Sequence, residues 1–222
     1  KTMKKIAIID YKLSNLYSVK NALSHFDINV QITDEKNEIL NADAAILPGV
    51  GSFGEAMSSM SKMDLVLPIQ DFINSGKPFL GICLGLQLLF TESEEFGDNK
   101  GLNLIDGQVL DFKKNIKIKK TPHVGWNKVY KNNNSNSQVP TEFDYVKNEE
   151  YFYFVHSFYV KPNDENIVLT KTIYDEFEYT SSIKYENVLA TQFHPEKSGE
   201  VGLSVLRKFL EMNKLIGDDN VL

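Results

Sequence analysis

Through residue 93 the chain alternates between short apolar runs and longer segments whose apolar residues recur three or four apart. The runs at 4–10 (KKIAIID), 28–33 (INVQIT), 43–47 (DAAIL) and 77–82 (KPFLGI) have the length and composition of strands, the apolar ones buried on both faces. Between them, Leu16, Val19, Leu23 and Phe26 follow near-helical spacing behind Ser14, a residue type that caps helices. PGVGSFGEAM is a glycine-rich loop that opens a second helix. Asp64 is placed to start a third through Phe72 and Ile73, with Pro68 near its first turn, and Gly76 stops it. LGLQLLFTES (84–93) reads as a fourth helix. Strands alternating with helices imply right-handed crossovers and a parallel sheet covered on both faces.

From about residue 105 to 194 the pattern shortens to β-like runs: VLDF, HVGWNKVY, YFYFVHSFYV, IVLTKTIY, EYTSSIKY and VLATQF. These predict antiparallel strands and hairpins appended to the parallel core. KNNNSNSQ (131–138) reads as an exposed polar loop rather than a linker, because the final elements are needed by the first half. Ser198 is placed to cap a last helix, whose apolar side carries Val201, Leu203, Val205, Leu206, Phe209 and Leu210. IGDDNVL at the end is expected to fray. The expected organisation is α/β, one domain over 1–222 with a mixed, mainly parallel, flavodoxin-like sheet flanked by helices.

Composition narrows the function classes. The 222 residues carry 24 Lys+Arg against 30 Asp+Glu, a net charge of −6, which argues against a nucleic-acid binder with a broad basic face. No apolar run approaches the ~20 residues of a membrane-spanning helix. Asp10 interrupts the first apolar run too early for a signal-peptide core. A single cysteine, Cys83, forms no internal disulfide and suits a reducing, cytoplasmic setting. His25, His123, His156 and His194 show no metal-ligand spacing, so neither a metal nor a cofactor is expected.

The candidate chemistry centres on Cys83. F-L-G-I-C-L-G-L-Q reads as strand, Gly-x-Cys-x-Gly turn and helix, a sharp turn that lifts a nucleophile above the sheet edge. Gly81 and Gly85 supply the room, the amino end of the helix favours the thiolate, and the N–H of Leu84 is placed to hold an oxyanion. A thiol nucleophile needs a base and the base an orienter. His194 and Glu196, in T-Q-F-H-P-E-K-S, share a face of an extended segment that Pro195 enforces, so the carboxylate can hold the imidazole tautomer. The PGVG loop (48–51) offers a second oxyanion donor, the N–H of Val50 or Gly51.

With these pieces in this order, the chain resembles class I glutamine amidotransferases along nearly its whole length. Narrower strings are similar to the glutaminase subunits of imidazole glycerol phosphate synthases: P-H-V-G-W-N (122–127), Y-F-V-H-S-F-Y (153–159), I-I-D-Y…N-L-x-S-V (8–19) and I-L-P-G-V-G-S-F-G-E-A-M (46–57). The resemblance implies that Cys83 attacks the side-chain amide of L-glutamine, His194 protonates the departing ammonia and Glu196 orients His194. Water then releases glutamate from the thioester. It implies Gly51, Leu84 and Val50 at the oxyanion, with a peptide flip in the Pro48–Gly51 segment. Gly49, Gln87, His156 and Ser157 match positions near glutamine. Asn15, Trp126, Tyr153 and Lys197 match positions facing a (β/α)8-barrel cyclase subunit in a heterodimer. That subunit would take the ammonia and make imidazole glycerol phosphate and an aminoimidazole carboxamide ribotide.

Two strings depart from the family pattern. Asp10-Tyr11-Lys12-Leu13-Ser14-Asn15 lacks the usual glycines after the Asp-Tyr pair and before the asparagine, and Gly199 stands where glutamine often follows His-Pro-Glu-Lys-Ser. The first departure lies on the side expected to meet the cyclase. The departures leave open a related amidotransferase subunit feeding an acetamidino-sugar pathway; a stand-alone cysteine hydrolase and a non-catalytic binding module on the same fold are further alternatives.

Overall fold

The computed structural model describes residues 2–13, 15–116, 118, 120–132 and 139–217. Its elements in chain order are β1 (Lys5–Ile9), α1 (Leu16–Leu23), β2 (Asn29–Thr33), α2 (Lys36–Asn41), β3 (Ala44–Leu47), α3 (Phe53–Lys62), α4 (Val66–Asn74), β4 (Phe79–Ile82), α5 (Leu84–Leu88), β5 (Phe90–Ser93), β6 (Asn99–Lys100), β7 (Ile105–Asp111), α6 (Phe112–Ile116), β8 (His123–Lys131), β9 (Glu150–His156), β10 (Phe158–Pro162), β11 (Val168–Tyr174), β12 (Phe177–Tyr185), β13 (Val188–Thr191) and α7 (Gly199–Met212). The main path of the sheet runs β2-β1-β3-β4-β13-β12-β10-β7-β5-β6, with β11, β8 and β9 branching from β12.

The first five strands of that path are mutually parallel. Their side chains alternate between two cores, as the period-2 geometry of a strand requires. Ile6, Ile8, Ile46, Leu80, Ile82 and Leu189 face α1 and α7. Ala7, Ile9, Ala45, Leu47, Phe79 and Ala190 face α3, α4 and α5. Burial on both faces is why these strands read as unbroken apolar runs.

Several sequence expectations are corrected. VLATQF is not an appended antiparallel strand: β13 pairs parallel with β4 from Val188↔Phe79 to Thr191↔Ile82 and completes the parallel core. The helix expected over 84–93 is one turn long, and Phe90–Ser93 is a strand parallel to β7. Residues 84–90 are buried all round, so no polar face marks where the helix stops. YFYFVHSFYV is two strands broken at Ser157, and α2 and α6 were not expected. Asp64 ends a helix rather than starting one. It has φ 55°, its N–H donates to Ser61 O at 3.2 Å, and Leu65 N–H donates to Met60 O at 2.9 Å, closing α3 in a Schellman motif. The cap expected from Ser14 lies outside the described residues, as do 133–138 of the polar loop and 218–222 of the C-terminal segment.

Two close approaches fix the ends of the central strands. A Cβ on Gly85 would lie 1.8 Å from the Leu47 carbonyl oxygen, so the turn after β4 packs directly on the end of β3. The hydroxyl of Ser198 does not cap α7. It donates to His194 O at 2.6 Å and accepts from Tyr153 N at 3.0 Å, tying the segment after β13 to β9. Lys12, where the family pattern has glycine, keeps a positive φ of 72°, and its N–H donates to Asp10 Oδ1 at 3.0 Å.

Gly85→Ala forces backbone against backbone at Leu47, and overpacking of this kind costs about 1–3 kcal/mol. The urea midpoint of the variant is expected to fall accordingly, with an unchanged m-value.

Candidate active site

The carboxyl ends of β3, β4 and β13 lie side by side, the edge at which parallel sheets bind ligands. Cys83 follows β4 directly, with φ 55° and ψ −109°. A non-glycine residue held at such angles costs about 1–3 kcal/mol. Hydrogen bonds clamp it on both sides: Cys83 N–H donates to Thr191 O at 2.7 Å, and its carbonyl accepts from Leu86 N at 3.0 Å. Leu84, the first residue of α5, has an N–H with no acceptor within the helix, as oxyanion stabilisation requires.

His194 and Glu196 stand where β13 leaves the sheet. His194 Nδ1 and Glu196 Oε1 are 2.5 Å apart, and both side chains are buried. The other ring nitrogen, Nε2, is buried without a hydrogen bond of good geometry in this resting arrangement. Burial opposes charge on this imidazole, but the nearby Cys83 thiolate and the Glu196 carboxylate outweigh it and raise its pKa to about 10. Held between the Cys83 sulfur and Glu196, the His194 ring is therefore charged at neutral pH.

A cavity of about 350 Å³ opens over Cys83. Val50, Gly51, Leu84, Gln87, His156 and Ser157, all named in the sequence reading, line it. Gly49 does not line it. Gly49 sits in a small cleft with Asn15, Val50, His194, Glu196 and Lys197, and a Cβ there would fall 2.0 Å from the Tyr11 hydroxyl. That hydroxyl donates to Pro48 O at 2.6 Å. Burial, and then the Cys83 charge, push the Tyr11 phenol far above its ordinary value, so it remains a donor. Val50 N–H donates to Leu13 O at 3.3 Å, so this amide is committed away from an oxyanion role until the peptide reorients.

Polarity in the cavity wall is fixed by one carbonyl. Phe158 O can only accept, so His156 Nδ1 donates to it at 2.7 Å. His156 Nε2 then accepts from the Tyr179 hydroxyl at 3.1 Å, and Tyr179 in turn accepts from His123 Nδ1 at 3.1 Å. Burial lowers both histidines, His123 to about 4 and His156 to about 3, so both are neutral at pH 7. His156 is thus a wall residue whose ring nitrogens are both used inside the protein.

Two residues of the site, one on the cavity wall and one against the Cys83 sulfur, escaped the sequence reading. Glu95 is a buried carboxylate on the cavity wall, and its Oε2 accepts from Phe53 N at 3.1 Å. Burial raises its pKa, against the lowering effect of that hydrogen bond. Among the acids of FTESEEFG no spacing singles it out. Gln192, fully buried, places Nε2 3.7 Å from the Cys83 sulfur. The extended segment expected from His194 to Glu196 is not found: β13 ends at Thr191 and Pro195–Lys197 is a turn of 3-10 helix, so Glu196 reaches His194 Nδ1 from that turn, and strand alternation gave no valid signal for Gln192.

The outer face of the β8–β9 ribbon carries Val124, Trp126 and Lys128 opposite Val155, Tyr153 and Tyr151. Trp126 is 55% exposed and meets the half-buried Tyr153 edge-on at 6.1 Å. The inner face, with His123, Phe152, Phe154 and His156, is buried. Asn15 and Lys197 are exposed on the cleft beside His194. Among the described residues no helix is long and apolar enough to cross a membrane, and no group of three His, Cys, Asp or Glu is placed to hold a metal.

The family described as glutamine amidotransferase class-I matches residues 7–212. A Legionella pneumophila (strain Paris) protein named imidazole glycerol phosphate synthase subunit HisH 1 is 40% identical over 213 residues, covering 95% of this chain and 100% of its own. A Methanococcus maripaludis protein of the same name is 43% identical over 210 residues, covering 93% and 99%. Among solved structures, PurLQS from Thermotoga maritima has a TM-score of 0.71 at 20% identity, covering 95% of this chain and 99% of that one. A glutamine amidotransferase from Thermotoga maritima has a TM-score of 0.62 at 15% identity, covering 96% of this chain and 84% of that one. At these identities the two structures bear on the fold alone.

If the thiolate sustains the imidazolium, Cys83→Ser leaves burial to oppose it with only Glu196 in support. The His194 ring resonance, followed by NMR through a pH titration, is expected to stay protonated to about pH 10 in the unmodified chain. It is expected to titrate at distinctly lower pH in the variant. An unchanged midpoint would remove the ion pair from the account.

Proposed function

Because the chain belongs to the class I glutamine amidotransferase family, we propose that it is the glutaminase subunit of an imidazole glycerol phosphate synthase, acting in histidine biosynthesis in the cytoplasm. The observation that carries this reading is the convergence of Cys83, His194 and Glu196 from two adjacent parallel strands onto one edge, beside a cavity sized for a small amino acid.

The thiolate of Cys83 attacks the side-chain amide carbon of glutamine. The charge that develops on the amide oxygen is taken by Leu84 N–H, joined by an amide of the Val50–Gly51 segment once it leaves Leu13. His194, held as imidazolium, gives its Nε2 proton to the departing ammonia. It then takes a proton from the water that cleaves the thioester and releases glutamate. Glu196 holds the ring tautomer throughout. Glu95 is the carboxyl group on the cavity wall, and the α-ammonium of glutamine beside it would favour its charged form. Gln87 and Ser157 supply further polar contacts.

In this reading the ammonia is used by a second subunit. The apolar ribbon face with Trp126 and Tyr153, continuous with Asn15 and Lys197 beside His194, is the surface on which a (β/α)8-barrel cyclase would dock. Ammonia made at Cys83 would then pass into the barrel rather than into solvent. The departure at Lys12–Ser14 lies beside Asn15 and would bear on partner choice.

Cys83→Ala is expected to lower glutamine hydrolysis by at least about a thousandfold while leaving assembly with the cyclase intact. Trp126→Ala is expected to raise the dissociation constant of the pair at least about tenfold, as for an exposed aromatic anchor. Glutaminase assays of the assembled pair, with and without the cyclase's nucleotide substrate, decide the pathway. Stimulation by that nucleotide supports the histidine reading, and stimulation only by a sugar acceptor overturns it.

A further inference from the structure

The Cys83 sulfur touches two polar groups besides the histidine system. The Val155 carbonyl oxygen lies 3.8 Å away and Gln192 Nε2 lies 3.7 Å away. The carbonyl suits a neutral thiol, which can donate to it, and repels a thiolate. Only the glutamine amide favours the charged form, and only if its nitrogen rather than its oxygen faces the sulfur.

The structure decides that orientation through a chain that begins at a group unable to donate. Phe158 O accepts from Gln87 Nε2 at 3.3 Å. A carbonyl accepts only, so the end of Gln87 that meets it is the amino end. The same Nε2 lies 3.2 Å from Gln192 Oε1, so Gln192 must turn its oxygen to Gln87 and its amino group to Cys83. Both glutamine side chains are buried, which makes a reversed amide, with oxygen against oxygen and oxygen against thiolate, costly. Phe158 O also accepts from His156, so it is anchored from two sides.

The geometry points to Gln192 as a catalytic hydrogen-bond donor that stabilises the Cys83 thiolate, with Gln87 as the positioning residue that fixes its polarity. This rests on Cys83 being the nucleophile of the glutaminase reading. Gln192 does not compete with His194. The imidazole must lose its proton to the leaving ammonia, whereas the amide keeps its protons and stays on the sulfur through thioester formation and release. Gln87 gains a second function beyond meeting substrate: it prevents the Gln192 amide from turning over.

The test is alkylation of the full chain by iodoacetamide across neutral to alkaline pH. Cys83 is the single cysteine, so the label is unambiguous. A charge-assisted hydrogen bond lost from the thiolate corresponds to about a tenfold change. Gln192→Met, similar in length but without a donor, is expected to alkylate about tenfold more slowly at neutral pH and to recover at alkaline pH. Gln192→Glu, nearly isosteric, is expected to shift the profile in the same direction and further, and it serves if the methionine variant does not fold. Gln87→Met is expected to give a smaller shift of the same sign. A folded Gln192→Met or Gln192→Glu chain with the wild-type profile overturns the proposal, as does a uniform loss of rate at every pH. The assay uses neither glutamine nor cyclase, so failure of the glutaminase reading would show separately, in the turnover of the assembled pair.

Discussion

The site depends on one backbone constraint, the positive φ at Cys83. A strand that simply ran on into a helix would leave the thiol in the sheet plane, buried among the apolar residues of β4. The turn at φ 55°, ψ −109° lifts it over the sheet edge, and the surroundings supply what the strain costs. Hydrogen bonds to Thr191 O and from Leu86 N clamp the residue. The absence of a side chain at Gly85 lets the turn sit on the Leu47 carbonyl. Because β13 is parallel to β4 and in register with it, the same edge receives Gln192, His194 and Glu196.

Charge is then arranged around the raised sulfur by burial. The imidazolium of His194 is out of water, so it depends on the Cys83 sulfur and Glu196 beside it, and their loss would favour the neutral ring. His123 and His156 are buried with no anion against them and are neutral, so they serve as fixed dipoles in the wall. Three histidines within one region thus divide by partner rather than by exposure. Only the one paired to a carboxylate is equipped to carry a proton.

The parallel core was legible because burial on both faces writes an unbroken apolar run. The candidate site residues stood out because Gly81 and Gly85 leave room that a side chain would fill and Pro195 fixes its own φ, although the turn at Pro195 is 3-10 helical rather than extended. The reading failed where those signals vanish. LGLQLLFTES is buried around its whole circumference, so the change from helix to strand near Leu89 leaves no mark in polarity. VLATQF resembles the antiparallel strands before it, and its parallel pairing is set by the crossover that brings it beside β4. Glu95 lies among acids that only the fold tells apart. Lys12, which departs from the family's glycine, adopts a left-handed backbone that its residue type did not announce.

The central claim is that glutamine turnover runs through the sulfur of Cys83. The most direct measurement is titration of the assembled enzyme with a glutamine-derived chloroketone, following residual glutaminase activity and the intact mass of this chain together. The account predicts that activity falls in proportion to labelling, reaches zero at one label per chain, and that the label maps to Cys83. Glutamine turnover that persists with Cys83 fully labelled would contradict it.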